Sequence, residues 1–174
     1  KPDDIVVMLH LSYSGYTTNP IIKFLRKNNH SLIHRFWPPE NFGRLADLIA
    51  THTTGTGSTP KIIIDLVHEE APLGTAVLKH SEQHNELLKG TPNFERYKAL
   101  IKRADLLVTA NTGPMHIAAA IGTKVVALFS DWNPSDCGPF MINSSFRIIR
   151  AEDMKHSENG LSAIDPESVL ESCK

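Results

Sequence analysis

Residues 104–130 read ADLLVTANTGPMHIAAAIGTKVVALFS, and the way this stretch is interrupted decides the fold. DLLVTA (105–110) and KVVALF (124–129) are apolar and rich in β-branched residues, the composition of strands buried on both faces of a sheet. Between them Asn111, Thr112, Gly113 and Pro114 supply a turn, and the spacing predicts a short helix over 114–121 that ends at Gly122. A strand, a helix and a strand in close succession form a right-handed crossover between parallel strands. Ala118, Ala119 and Ala120 allow that helix to pack tightly under the sheet.

The same alternation extends outward. IVVMLHL (5–11) and KIIIDLV (61–67) read as two more buried strands, and FRIIR (146–150) as a short one. NPIIKFLRKNN (19–29) and WPPENFGRLADLIATH (37–52) read as helices, the second presenting Phe42, Leu45, Ala46 and Ile49 on one face. TTGTGSTP (53–60) reads as an exposed loop and APLGTAVLK as the start of a helix. In TPNFERYKALIKRA, Thr91 is the expected cap, Pro92 the first-turn residue, and Phe94, Leu100 and Ile101 the buried contacts; Asp165 and Pro166 open a last helix. The fold expected is α/β: one Rossmann-like domain over 1–174, a parallel sheet with helices on both faces.

Composition narrows the partners. With 18 basic and 19 acidic side chains the net charge is −1, which argues against bulk binding to nucleic acid or an anionic membrane surface. Cys137 and Cys173 are expected to be free thiols in a reducing compartment. No apolar run approaches the roughly 20 residues of a membrane span. The chain starts at Lys1, so a processed product or an excised piece is expected.

In an open α/β sheet ligands bind beyond the carboxyl ends of the strands. The residues there are polar: Ser12 to Gly15, then His68, Glu69 and Glu70, then Asn111, Thr112 and Gly113, then Ser130, Asp131 and Trp132. Gly113 permits close approach, and the helix it opens offers free N–H groups that attract an anion by about 0.3–1 kcal/mol, up to ~2 kcal/mol when partly buried. Thr112 adds a hydroxyl, and His116, one turn in, an imidazole that reaches a phosphate oxygen. The plainer alternative is ordinary strand-to-helix turn chemistry with His116 as an interior histidine. His80 and His84 stand at i, i+4, but the metalloprotease pattern has its glutamate directly after the first histidine and no third ligand is evident, so a solvated helical face is expected and no metal. Asp131 and Asp136 beside Trp132 read either as an acid pair or as a surface loop.

At these residues the sequence resembles glycosyltransferase family 9, the lipopolysaccharide heptosyltransferases. That family's Asp-(Ser/Thr)-Gly-x-x-His turn reads here Asn111, Thr112, Gly113, Pro114, Met115, His116, followed by IAAAIGTKVVALFS and CGPF. RFWPPENFGRLADLI (35–49) is similar to its Lys-x-Trp-Pro segment, HEE (68–70) falls where it carries a nucleotide-binding glutamate, and GLSAIDPESVL (160–170) is similar to its tail. The resemblance implies the donor-binding, carboxyl-terminal lobe of a two-lobed GT-B fold, the amino-terminal lobe being absent. It implies that Thr112, Gly113 and His116 hold a donor diphosphate, Glu69 the nucleoside and Arg35 a phosphate in place of lysine, with Asn111 in the aspartate's place toward the sugar. Arg35 changes a point ammonium to a planar fork, and Asn111 removes a charge.

The activity so implied is inverting transfer of a heptose or related sugar, from ADP-heptose, to a lipid-linked lipopolysaccharide core acceptor, without metal or cofactor. The general base is expected on the missing lobe, so this chain binds donor without turnover. The implied location is cytoplasmic, or peripheral at the cytosolic face of the inner membrane. An epimerase-like enzyme and a non-catalytic module on the same fold are the alternatives, separated by acid/base carboxylates in this lobe and by nucleotide binding.

Overall fold

The computed structural model describes residues 4–11, 34–55, 57–83, 85–90, 93–140 and 145–174. Six parallel strands form one sheet: β1 (Asp4–His10), β2 (Thr59–Leu66), β3 (Glu86–Lys89), β4 (Leu106–Ala110), β5 (Lys124–Phe129) and β6 (Phe146–Arg150), in spatial order β3-β2-β1-β4-β5-β6. The expected Rossmann-like class is what the chain adopts. Among the described residues the helices are α1 (Pro39–Gly55), α2 (Ala71–Lys79), α3 (Phe94–Arg103), α4 (Gly113–Ile121), α5 (Pro134–Cys137) and α6 (Pro166–Cys173). Short 3-10 turns cover His68–Glu70, Ala151–Asp153 and Ser157–Ala163.

Alternation along each strand divides the core in two. Val7, Leu9 and Leu11 of the β1 segment, Ile62, Ile64 and Leu66 of β2, and Val126 and Leu128 of β5 pack against α1, α2 and α6. Val6 and Met8, Leu107, and Val125, Ala127 and Phe129 pack on the opposite side against α3 and α4. The predicted apolar face of α1 is buried, with Leu45 and Ala46 fully enclosed. Trp37 meets Phe42 edge-to-face at a centroid separation of 4.6 Å. Ala118 and Ala119 of α4 are buried as well, whereas Ala120 is exposed, so two of the three alanines make the close contact.

Four local expectations are corrected. The loop expected from residue 53 starts later, because the Thr51, Thr53 and Thr54 hydroxyls donate to the carbonyls of Asp47, Ile49 and Ala50 and keep α1 wound to Gly55. The cap of α3 is Asn93, whose side chain accepts from the Glu95 and Arg96 N–H groups, and Phe94 is exposed under the Lys98 ammonium rather than buried. His80 lies just past the end of α2 and is therefore not on a helical face. β3, four residues long at the sheet edge, was not anticipated. Asp165 caps α6 as expected, accepting from the Ser168 N–H at 2.7 Å. The helix expected over 19–29, the polar group Ser12–Gly15, and Thr91, Pro92 and His84 lie outside the described residues.

Candidate functional site

Because all six strands run the same way, their carboxyl ends share one edge. The β1 connection leads to α1 on one face and the β4 connection to α4 on the other, which opens a crevice at that edge. Thr112 precedes α4 with extended backbone, φ −141° and ψ 173°, but its hydroxyl does not cap the helix. It turns back instead, 3.0 Å from the Thr109 hydroxyl and 3.3 Å from the Ala110 carbonyl. The amino end of α4 is thus left uncapped by Thr112, and among the described residues a Cβ added at Gly113 would meet nothing within 4 Å. The other end is closed by Gly122 at φ 81°, a conformation that favours glycine.

A cavity of about 250 Å³ adjoins this turn, lined by Arg35, Ala110, Asn111, Thr112, Leu128, Ser130, Trp132, Cys137 and Leu161. The Arg35 guanidinium lies 4.9 Å from the centroid of the Trp132 ring, a cation–π distance, and its Nε is buried with no hydrogen-bond partner among the described residues. Burying a donor without an acceptor is unfavourable, so that N–H is suited to an incoming anionic oxygen. Among the described residues that line the cavity, Arg35 carries the charge and no carboxylate offsets it. The volume is slightly below the usual range of about 300–1,000 Å³ for small-molecule pockets, so a nucleotide-sized ligand occupies it only in part.

Arg35 is brought there from far along the chain. The Leu161 N–H donates to the His34 carbonyl at 2.8 Å, and the Trp37 indole donates to the Ile164 carbonyl at 2.9 Å. Gly160 makes the crossing possible: its φ is 59°, and a Cβ there would stand 2.4 Å from the His34 backbone.

Of the residues expected at the site, Arg35, Asn111 and Thr112 share the cavity wall and Gly113 opens the helix beside it. His116 is exposed on the first turn of α4, which overturns its reading as an interior histidine. Glu69 is exposed on the 3-10 turn after β2 and does not line the cavity. Its neighbour Glu70 is buried, accepting from the Val67 N–H at 3.2 Å, so that carboxylate holds the turn itself. Asn111 donates to the Cys137 sulfur at 3.1 Å, which ties the turn to α5. Asp131 accepts from Ser130 at 2.6 Å while Asp136 is exposed on α5, and neither borders the cavity. Both cysteines are free, and burial pushes the Cys173 thiol up to about 12. No group of three or more potential metal ligands occurs among the described residues, and no described helix is long and apolar enough to cross a membrane.

Sequence reasoning missed Cys137 and Leu161 as wall residues, and it missed a polar cluster of His10, Asp65 and Tyr97 at the ends of β1 and β2. The trace of that cluster is legible afterward as single polar residues near the ends of IVVMLHL and KIIIDLV.

Comparison with known proteins agrees with this fold. The chain is 28% identical over 141 residues to the lipopolysaccharide core heptosyltransferase OpsX of Haemophilus influenzae, a match covering 76% of this chain and 39% of that protein. A family 9 glycosyltransferase from Veillonella parvula superposes with a TM-score of 0.77 at 20% identity, over 99% of this chain and 46% of that one. The ADP-heptose lipopolysaccharide heptosyltransferase II of E. coli gives 0.75 at 18% identity, again over 99% and 46%. The chain therefore spans less than half the length of these relatives, and the structural likenesses speak for the fold. The family model for glycosyltransferase family 9 (heptosyltransferase) matches residues 10–162, and the chain belongs to that family.

Proposed function

We propose that this chain is the donor-binding lobe of a heptosyltransferase, taking the diphosphate end of ADP-heptose at the amino end of α4. The observation that carries the reading is the buried Nε of Arg35, which has no partner among the described residues, in a cavity whose described lining holds no carboxylate, beside a helix start that Thr112 does not cap. An E. coli relative of the same fold, heptosyltransferase WaaC, was solved with ADP and with ADP-2-deoxy-2-fluoro heptose, which supports the choice of nucleotide.

In this reading Arg35, Thr112, Gly113 and His116 hold the diphosphate, Asn111 accepts from a sugar hydroxyl, and Glu69 reaches the nucleoside from outside the cavity. Transfer with inversion leaves the diphosphate as the departing group. Arg35 and the α4 N–H groups stabilise the negative charge it gains as the glycosidic bond breaks. The general base that deprotonates the acceptor belongs to the amino-terminal lobe, as does the lipid-linked core oligosaccharide, so this lobe alone gives no turnover and uses no metal or cofactor. The location in this reading is the cytoplasm, at or near the inner membrane. An epimerase needs acid/base carboxylates facing the sugar, and the cavity wall offers none among its described residues.

The test is a calorimetric titration with ADP, ADP-heptose, UDP and GDP, repeated with Arg35→Ala and His116→Ala. ADP and ADP-heptose bind preferentially, and Arg35→Ala weakens them by about 10- to 100-fold, the scale of a hydrogen bond to a charged group. Equal or absent binding of all four nucleotides sinks the reading.

A further inference from the structure

One buried polar cluster has no part in the proposed diphosphate contacts. His10 ends β1, Asp65 is the penultimate residue of β2, and Tyr97 sits in the first turn of α3. His10 Nδ1 lies 2.6 Å from Asp65 Oδ2, and the Tyr97 hydroxyl donates to the same oxygen at 2.5 Å. His10 is 5% exposed and Asp65 2%. Their neighbours on that face are Met8, Ile63 and Leu107, among which hydrocarbon side chains would pack without the desolvation cost of charges.

Two features give the cluster a direction. A carboxylate on Nδ1 fixes the tautomer and the ring plane of a histidine, which leaves Nε2 as its working nitrogen. No partner meets Nε2 among the described residues. The ladder also sets His10 beside Thr109, whose hydroxyl is 3.0 Å from that of Thr112 at the start of α4. His10 therefore stands at the carboxyl edge of the sheet between β2 and β4, next to the cavity wall at Thr112 and not in it. The charged or titratable groups facing it are Asp65 from β2 and Tyr97 from α3, while β4 contributes the uncharged Thr109. Burial first, then the Asp65 charge and hydrogen bond, push the Tyr97 phenol far up, so it remains a donor to Asp65.

We infer that His10 is a second phosphate-contacting imidazole, held by Asp65 and Tyr97 so that Nε2–H donates to an oxygen of the diphosphate at the amino end of α4. This deepens the proposed function and rests on it. With Nδ1–H given to Asp65, donation from Nε2 requires the imidazolium. The bound ring gives Nδ1–H to Asp65 and Nε2–H to the ligand oxygen. His10 is the binding residue, and Asp65 and Tyr97 are positioning residues.

The test is side-chain histidine NMR on the whole ¹⁵N-labelled chain, titrated with inorganic pyrophosphate and then with ADP, with the His10 signal assigned through His10→Gln. The inference expects the His10 Nε2 resonance to move to, or hold and shift within, the protonated range as ligand binds, in the wild type and in His116→Ala alike. His10→Gln should weaken pyrophosphate binding about tenfold. Because the wild-type spectrum is read directly, a poorly folding variant leaves the test intact. ADP bound without any change at His10 overturns the inference and spares the donor-lobe reading. A His10 change with pyrophosphate but no preference for ADP over UDP and GDP does the opposite, and no binding of either ligand overturns both.

Discussion

The two faces of the sheet are made from the same strands yet end differently. Toward α1, α2 and α6 the strand ends are hydrocarbon: Leu11, Leu66, Ala110 and Leu128. Toward α3 and α4 the neighbouring strands β1, β2 and β4 finish in His10, Asp65 and Thr109, all buried and all polar, while β5 finishes in Phe129. A one-residue offset along each strand is enough to make that difference, since successive side chains point to opposite faces. One face contributes cohesion over its whole length, while the other gives up cohesion at its carboxyl end to hold groups that form hydrogen bonds.

The largest test of the comparison is Leu45→Ala on the hydrocarbon face. Leu45 is fully buried on α1, so its truncation should lower unfolding stability by about 2–5 kcal/mol, read by urea denaturation. Nucleotide affinity measured where the variant is still folded should stay within about twofold, because Leu45 does not line the cavity. A large loss of affinity without loss of stability would contradict the division of labour.

A smaller effect is expected on the polar face, and it depends on pH. The Tyr97 phenol is held well above its usual 10.0 by burial and by Asp65, so the folded chain keeps a proton that the unfolded chain releases. Stability from this group is complete below about pH 10 and is lost as pH rises beyond it. Tyr97→Phe should cost about 1 kcal/mol at neutral pH and flatten the alkaline decline. Thermal melts across pH 8 to about 11 read both effects, and an unchanged alkaline slope would show that another group causes it.

The two thiols give the finest contrast, a difference of rate. Cys173 packs against the hydrocarbon cluster, with its thiol pushed up to about 12, and should resist iodoacetamide at neutral pH. Cys137 packs toward the other cluster but reaches the cavity wall, so it should be alkylated first and be protected by bound ADP. Intact-mass spectrometry resolves the order; faster labelling of Cys173 would reverse the assignment of faces.

The fold was largely legible because its signals are local. Runs such as IVVMLH and KVVALF carry their own burial, and Gly122 and Asp165 mark helix ends without reference to distant residues. β3 was missed because ELLK is short, lies at the edge and lacks alternation or flanking β-branched residues. The turn at 111–113 was legible as backbone chemistry, but Arg35 entered through family resemblance, since nothing near it in sequence says that Leu161 and Trp132 will stand beside it. Glu69 and Glu70 are alike in sequence, and only the packing of the 3-10 turn decides which one is buried. The pairing of His10 with Asp65 depended on strand register, which neither run specifies alone.

The crossing at Gly160 also bears on how the protein is made. The segment carrying Arg35 is fastened by the Leu161 N–H and the Ile164 carbonyl, more than a hundred residues later. During synthesis the first strands can pair and the hydrocarbon face can begin to close while the cavity still lacks its cation. Ligand competence therefore arrives last, after residue 164 has left the ribosome, and a cut near Gly160 would disarm the site before it unfolds the sheet.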